Sequence, residues 1–109
     1  IKVFEVADDG TLRNGRVLAE GIGGTIEGGS PDGMECDEFG NVWTTGPGGV
    51  WVFDPNTGER IGRILTPEVC GSLCWGGPDM RTAYVTCSKT GTLKTTTWPR
   101  PGHRLHFQP

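Results

Sequence analysis

The chain has 109 residues and a formal net charge of −3, with 19 glycines and 8 prolines set among short apolar runs. That length holds one domain at most; the frequent reversals exclude a fold of long helices, and the clustered apolar residues exclude a disordered chain. No run of Lys or Arg tracks a phosphate backbone and no apolar run nears the roughly 20 residues that span a bilayer, so neither nucleic acid nor a membrane is an expected partner.

Residues 1–7 alternate as a strand does, and Asp8-Asp9-Gly10 reads as a tight reversal, because Asp and Gly tolerate the backbone angles that hairpin turns need. A second strand is expected near 16–19. Opening on Ile1 inside a strand pattern, and lacking a signal-type leader, the sequence reads as a piece of a longer protein, with Pro109 the expected C-terminus. Residues 21–30, GIGGTIEGGS, hold too many glycines for a strand interior and are read as a loop between sheets.

Strands are then expected at 34–36, 41–45, 50–53, 60–65, 69–75, 82–87 and 92–98, separated by Asp37-Glu38-Phe39-Gly40, Gly46-Pro47-Gly48-Gly49, Asp54 to Gly58 and Gly76 to Asp79. Both faces of Val50-Trp51-Val52-Phe53 are apolar, so this strand must be covered on two sides. Its connections are too short for crossover helices, which leaves antiparallel sheets stacked on sheets. The prolines at 99, 101 and 109 make the last eleven residues a poor sheet interior, although Leu105-His106-Phe107 could pair at an edge.

A repeat links these runs. Gly15-Arg16-Val17-Leu18 recurs as Gly62-Arg63-Ile64-Leu65, Val3-Phe4 as Val52-Phe53, and Asn41-Val42-Trp43-Thr44-Thr45 as Thr82-Ala83-Tyr84-Val85-Thr86. The offsets run from about 41 to about 49 residues, the length of a four-stranded propeller blade. The expected fold is therefore all-β, a β-propeller of which this chain covers about two and a quarter blades. Residues 1–20 would give the last two strands of one blade, 30–66 a complete blade, 69–98 the first three strands of a closing blade and 99–109 a tail. An immunoglobulin-like sandwich could hold as many strands but would not need the repeat.

The motifs Ser30-Pro31-Asp32-Gly33-Met34, Gly40-Asn41-Val42-Trp43, Gly49-Val50-Trp51-Val52-Phe53-Asp54-Pro55 and Trp75-Gly76-Gly77-Pro78-Asp79, followed by Ala83-Tyr84-Val85-Thr86, occur in one order. They resemble the last third of the SMP-30/gluconolactonase/luciferin-regenerating family. The resemblance implies a six-bladed propeller with an axial divalent metal, commonly calcium, with zinc, manganese or magnesium as alternatives, and hydrolysis of sugar or related lactones. It implies that Asp32 is a metal ligand and takes part in catalysis. The family's other ligands, a glutamate and one or two asparagines, would lie on preceding blades that belong to missing sequence or to a separate chain. This piece alone would then be inactive.

By itself Pro-Asp-Gly reads as a turn, and only the resemblance turns Asp32 into a ligand. Asp37, Asp54 and Asp79 are read as turn formers, and Trp43, Trp51 and Trp75 as core rather than as a carbohydrate pocket. Cys70 and Cys74 would lie about 13 Å apart along a strand, beyond disulfide reach. The four cysteines (36, 70, 74 and 87) are thus expected as small buried apolar residues, which favours a reducing, cytoplasmic compartment. His103 and His106 are read as surface residues. Two other functions fit the same scaffold: a non-catalytic binding or regulatory propeller, and a phosphoester or organophosphate hydrolase.

Overall fold

The structure is a computed structural model that describes residues 1–24, 26, 28–99 and 101–103. The described residues form nine strands: β1 (Lys2–Val6), β2 (Leu12–Val17), β3 (Met34–Cys36), β4 (Val42–Gly46), β5 (Gly49–Phe53), β6 (Arg60–Leu65), β7 (Cys70–Gly76), β8 (Thr82–Cys87) and β9 (Thr92–Thr97). They make three sheets, β1-β2, β3-β4-β5-β6 and β7-β8-β9, each with neighbours in sequence paired antiparallel. Among the described residues no helix is long and apolar enough to cross a membrane. The grouping follows the repeat: β4 and β8 carry one pair of matched motifs, β1 and β5 another, and β2 and β6 the third.

β2 begins at Leu12 rather than at residue 16. The turn closes at once, with the Gly10 amide donating to the Ala7 carbonyl (2.8 Å) and the Ala7 amide to the Thr11 carbonyl (2.9 Å), so the return strand starts directly after it. Every residue of β2 is exposed, and its segment Leu-Arg-Asn-Gly-Arg-Val therefore lacks the apolar alternation that marks a half-buried strand. Leu18 and Ala19, which carry the expected apolar signal, are buried just beyond its end.

β5 is covered on both sides, as its composition requires. Val50 and Val52 pack with Trp43 against Leu73, Trp75, Ala83 and Val85 of the third sheet, forming the main core. Phe53, also buried, and the half-buried Trp51 line the opposite side with Val17, Leu18 and Ala19. Trp43 is fully enclosed, with Trp75 and Trp98 edge-on to it at centroid distances of 4.9 and 4.8 Å. Such aromatic pairs contribute about 0.5–1.5 kcal/mol each beyond simple burial. Trp51 departs from the expected core role, since the guanidinium carbons of Arg60 and Arg63 lie 4.6 and 5.3 Å from its ring centre.

Asp37 is more than a turn former. It is only 2% exposed, and its carboxylate accepts from the Phe39 and Asn41 amides (both 3.0 Å), Asn41 Nδ2 (2.9 Å) and Trp43 Nε1 (3.1 Å). One side chain thus closes the β3–β4 turn and anchors it to the central tryptophan. The tail adds a strap across the same end of β3: the Gly102 amide donates to the Met80 carbonyl (2.8 Å), His103 to Cys36 (2.9 Å) and Glu38 to Pro101 (3.0 Å). Residue 102 must lack a side chain, because a Cβ there would sit 1.8 Å from Trp75 Cγ. His103 is exposed, as expected, whereas His106 and the proposed edge pairing of residues 105–107 lie outside the described residues.

Candidate functional site

Asp32 stands two residues before β3, the edge strand of the central sheet, and β3 in turn lies beside β7, the edge strand of the next sheet. The backbone around Asp32 is tied on several sides. Its own amide donates to Thr45 Oγ1 (3.2 Å), the Gly33 amide donates to the Gly71 carbonyl (2.8 Å), and the Gly33 carbonyl accepts from the Thr45 amide (3.1 Å). Position 33 requires glycine because a Cβ would lie 2.4 Å from the Ser72 Cα of the neighbouring sheet, a backbone atom that cannot turn aside. Gly33→Ala is expected to destabilise the protein by about 1–3 kcal/mol through this overpacking. A lowered thermal or urea midpoint checks it, with Gly62→Ala, where a Cβ would meet only Val52 side-chain atoms at an ordinary 3.7 Å, as the comparison.

The side chain of Asp32 is treated differently from those of the turn aspartates. Asp9 accepts from the Thr11 hydroxyl (2.6 Å) and amide (3.0 Å), Asp54 from the Asn56 and Thr57 amides (2.8 and 3.0 Å), and Asp79 from the Arg81 amide (3.1 Å). The Thr11 hydroxyl, and for Asp54 the Thr57 amide above all, hold these two carboxyls below the usual range. Asp32 spends its carboxylate on no such bond among the described residues, and it is exposed. A Cβ placed on Gly71 would lie 3.8 Å from Asp32 Oδ2, so the acid borders the start of β7 where the neighbouring residue has no side chain.

The repeat explains the support. Thr45 and Thr86 occupy matching positions, and Thr86 Oγ1 accepts from the Ser72 amide (3.0 Å) as Thr45 Oγ1 accepts from Asp32. The threonine clamp therefore serves two successive sheets, while the position that is Asp32 in one is Ser72 in the next. Sequence reading missed the clamp, although its signal was present in the recurring threonine at the end of the matched motif. The clamp builds the strand start, and the acid is an addition to it.

The other candidates stay apart. Partial desolvation pushes the Glu35 carboxyl up, and partial desolvation of the otherwise exposed Cys36, with Asp37 and Glu35 nearby, does the same to its thiol. Among the described residues no group of three or more His, Cys, Asp or Glu side chains gathers closely enough to hold a metal. Asp32 fits a metal as one hard oxygen donor of a set, held on a fixed backbone with its lone pairs unused.

Successive antiparallel sheets, each built of strands consecutive in the chain and stacked on the next, define a β-propeller protein. The sequence profile described as "SMP-30/Gluconolactonase/LRE-like region" matches residues 1–89, and the chain belongs to this family. Regucalcin of Sus scrofa is 39% identical over 64 residues, covering 56% of this chain and 21% of that protein. Pentonolactonase XacC of Haloferax volcanii is 40% identical over 60 residues, covering 53% of this chain and 21% of that protein. An X-ray structure of a structural-genomics target described as a "putative gluconolactonase" superposes with a TM-score of 0.72 at 30% identity, over 94% of this chain and 32% of its own. The chain thus spans about a fifth of the length of the curated relatives it matches and about a third of that solved structure.

Proposed function

We propose that this chain is part of a metal-dependent lactonase that opens sugar or related lactones, with Asp32 as a ligand of the metal. The observation that carries this reading is the Asp32 carboxylate, left unbonded on a clamped backbone that leads into the edge strand of its sheet, in a chain whose family includes proteins named for lactone hydrolysis. A bound divalent ion, calcium by preference and zinc, manganese or magnesium otherwise, supplies a Lewis acid for the lactone carbonyl and an acidified water. Asp32 would contribute an oxygen donor to that ion and would serve as general base toward the attacking water. The Gly33–Gly71 and Asp32–Thr45 bonds fix its position without using the carboxylate. The remaining donors come from sequence outside this chain, so the 109 residues alone are expected to be inactive.

The test uses the complete protein, stripped with a chelator and titrated with calcium by calorimetry while gluconolactone hydrolysis is followed. Saturable binding with recovery of hydrolysis is the expected outcome, and magnesium, manganese and zinc tested in parallel rank the metals. Metal binding without hydrolysis of any lactone would favour a regulatory propeller. Hydrolysis of phosphoesters alone would move the assignment to that substrate class.

A further inference from the structure

Cys70 and Cys87, dismissed in the sequence reading as unpaired core residues, face each other across the β7–β8 ladder as register partners. The strand spacing that keeps Cys74 from Cys70 is irrelevant here, because the partner comes from the return strand. Both residues are buried, at 2% and 1% exposure, and their Sγ atoms lie 3.8 Å apart. Cys36 and Cys74 are exposed and sit opposite Val42 and Tyr84 instead.

The ladder fixes what kind of pair this is. The Ser88 amide donates to the Val69 carbonyl (3.3 Å), so the hydrogen bond runs between the residues just outside Cys70 and Cys87. That pattern marks a non-hydrogen-bonded antiparallel pair, in which the Cα atoms approach to about 4.5 Å and the side chains come closest. A Cα separation of that size lies at the short end of the range that a disulfide bridges. On the inner side of the pair the register shifts between Cys70 and Ser72, leaving Gly71 without a partner in the ladder. Gly71 bears no side chain that would resist a small shift next to Cys70, although its carbonyl stays bonded to the Gly33 amide (2.8 Å).

We propose that Cys70 and Cys87 form a reversible cross-strand disulfide when the protein meets a small peroxide. Burial, with Cys70 beside it, pushes the Cys87 thiol up, so the Cys70 thiolate is the one that attacks hydrogen peroxide, giving a sulfenic acid and releasing hydroxide. The second thiol displaces the sulfenic oxygen as water, so that two thiols and one peroxide yield one disulfide and two waters. A small oxidant is required by the burial of both sulfurs, which screens them from larger disulfide reagents. The bond fastens the edge strand β7 to β8 one residue from Gly71, whose carbonyl holds the Gly33 amide beside Asp32.

The experiment takes the complete folded protein, caps exposed thiols with N-ethylmaleimide, adds hydrogen peroxide, then denatures, alkylates with iodoacetamide and maps the peptides. The expected product is a dithiothreitol-sensitive peptide linking Cys70 to Cys87, lighter by two hydrogens than the reduced pair. It persists in Cys74→Ser and disappears in Cys87→Ser. Should Cys87→Ser fail to fold, the wild-type and Cys74→Ser maps decide by themselves. Recovery of both residues as iodoacetamide-labelled thiols, at peroxide levels that oxidise uncapped Cys36 and Cys74, overturns the proposal. So does a linkage of Cys70 to any other cysteine.

Discussion

Replacing Asp32 by alanine in the complete protein is expected to reduce metal affinity and lactone hydrolysis together, each on the order of 100-fold or more, while leaving the fold intact. The functional loss is set at this size because even the outer partners of metal ligands cost about 10–100-fold when removed. Intact folding follows from the bonding pattern. The Asp32 amide and its Gly33 neighbour make the structural contacts, to Thr45 and Gly71, and both survive truncation of the side chain. An exposed carboxylate without a partner contributes little to stability, so the unfolding free energy should stay within about 0.5 kcal/mol of wild type. Calorimetric calcium titration, lactone assay and a thermal scan on the same preparation check all three statements. Asp32→Asn keeps one oxygen donor but loses the charge, and it should fall between the two. Full hydrolysis by Asp32→Ala would remove the residue from the site.

The second large effect is on stability. Asp37→Ala leaves the Trp43 indole N–H, the Asn41 amide group and two backbone amides without their acceptor in a buried place. Each buried donor left without its acceptor costs about 1–3 kcal/mol, against about 1 kcal/mol for a typical hydrogen bond, and most small domains have only about 5–15 kcal/mol in all. The urea midpoint should drop accordingly. Asp37→Asn retains an oxygen for the backbone amides but turns an N–H group toward other donors, so an intermediate loss is expected. Asp54→Ala provides the contrast, since its bonds to Asn56 and Thr57 are exposed and the change should cost much less. Equal losses at the two positions would show that Asp37 is only another turn residue.

The contrast among aspartates shows where sequence reading stops. Asp32, Asp37, Asp54 and Asp79 all stand in or beside glycine-bearing reversals and look alike as local patterns. Asp37 differs because Trp43, six residues on, returns on β4 with its indole nitrogen directed at the carboxylate. Asp32 differs because its carboxylate is the one left out of its own turn. Neither distinction is carried by spacing alone, since both depend on where the return strand places its side chains. The cysteines repeat the lesson: separation along one strand ruled out Cys70 with Cys74, but the closest sulfur to Cys70 lies across the hairpin on Cys87. The expected burial of Cys36 and Cys74 failed for the same reason, as both occupy exposed positions of edge strands.

What the amino-acid order determined by itself was the alternation of short strands with glycine-rich turns, their antiparallel pairing, and the two, four and three grouping that the repeat implies. These follow from local rules, because period-two patterning and turn chemistry act over a few residues. The motif order also carried the family, which the match over residues 1–89 bears out. Tertiary structure alone decided which of the similar acids is buried in a hydrogen-bond network, which is left unbonded beside the neighbouring sheet, and which thiols meet. Those outcomes depend on contacts between paired strands and between stacked sheets, where register and stacking, rather than local propensity, set the distances.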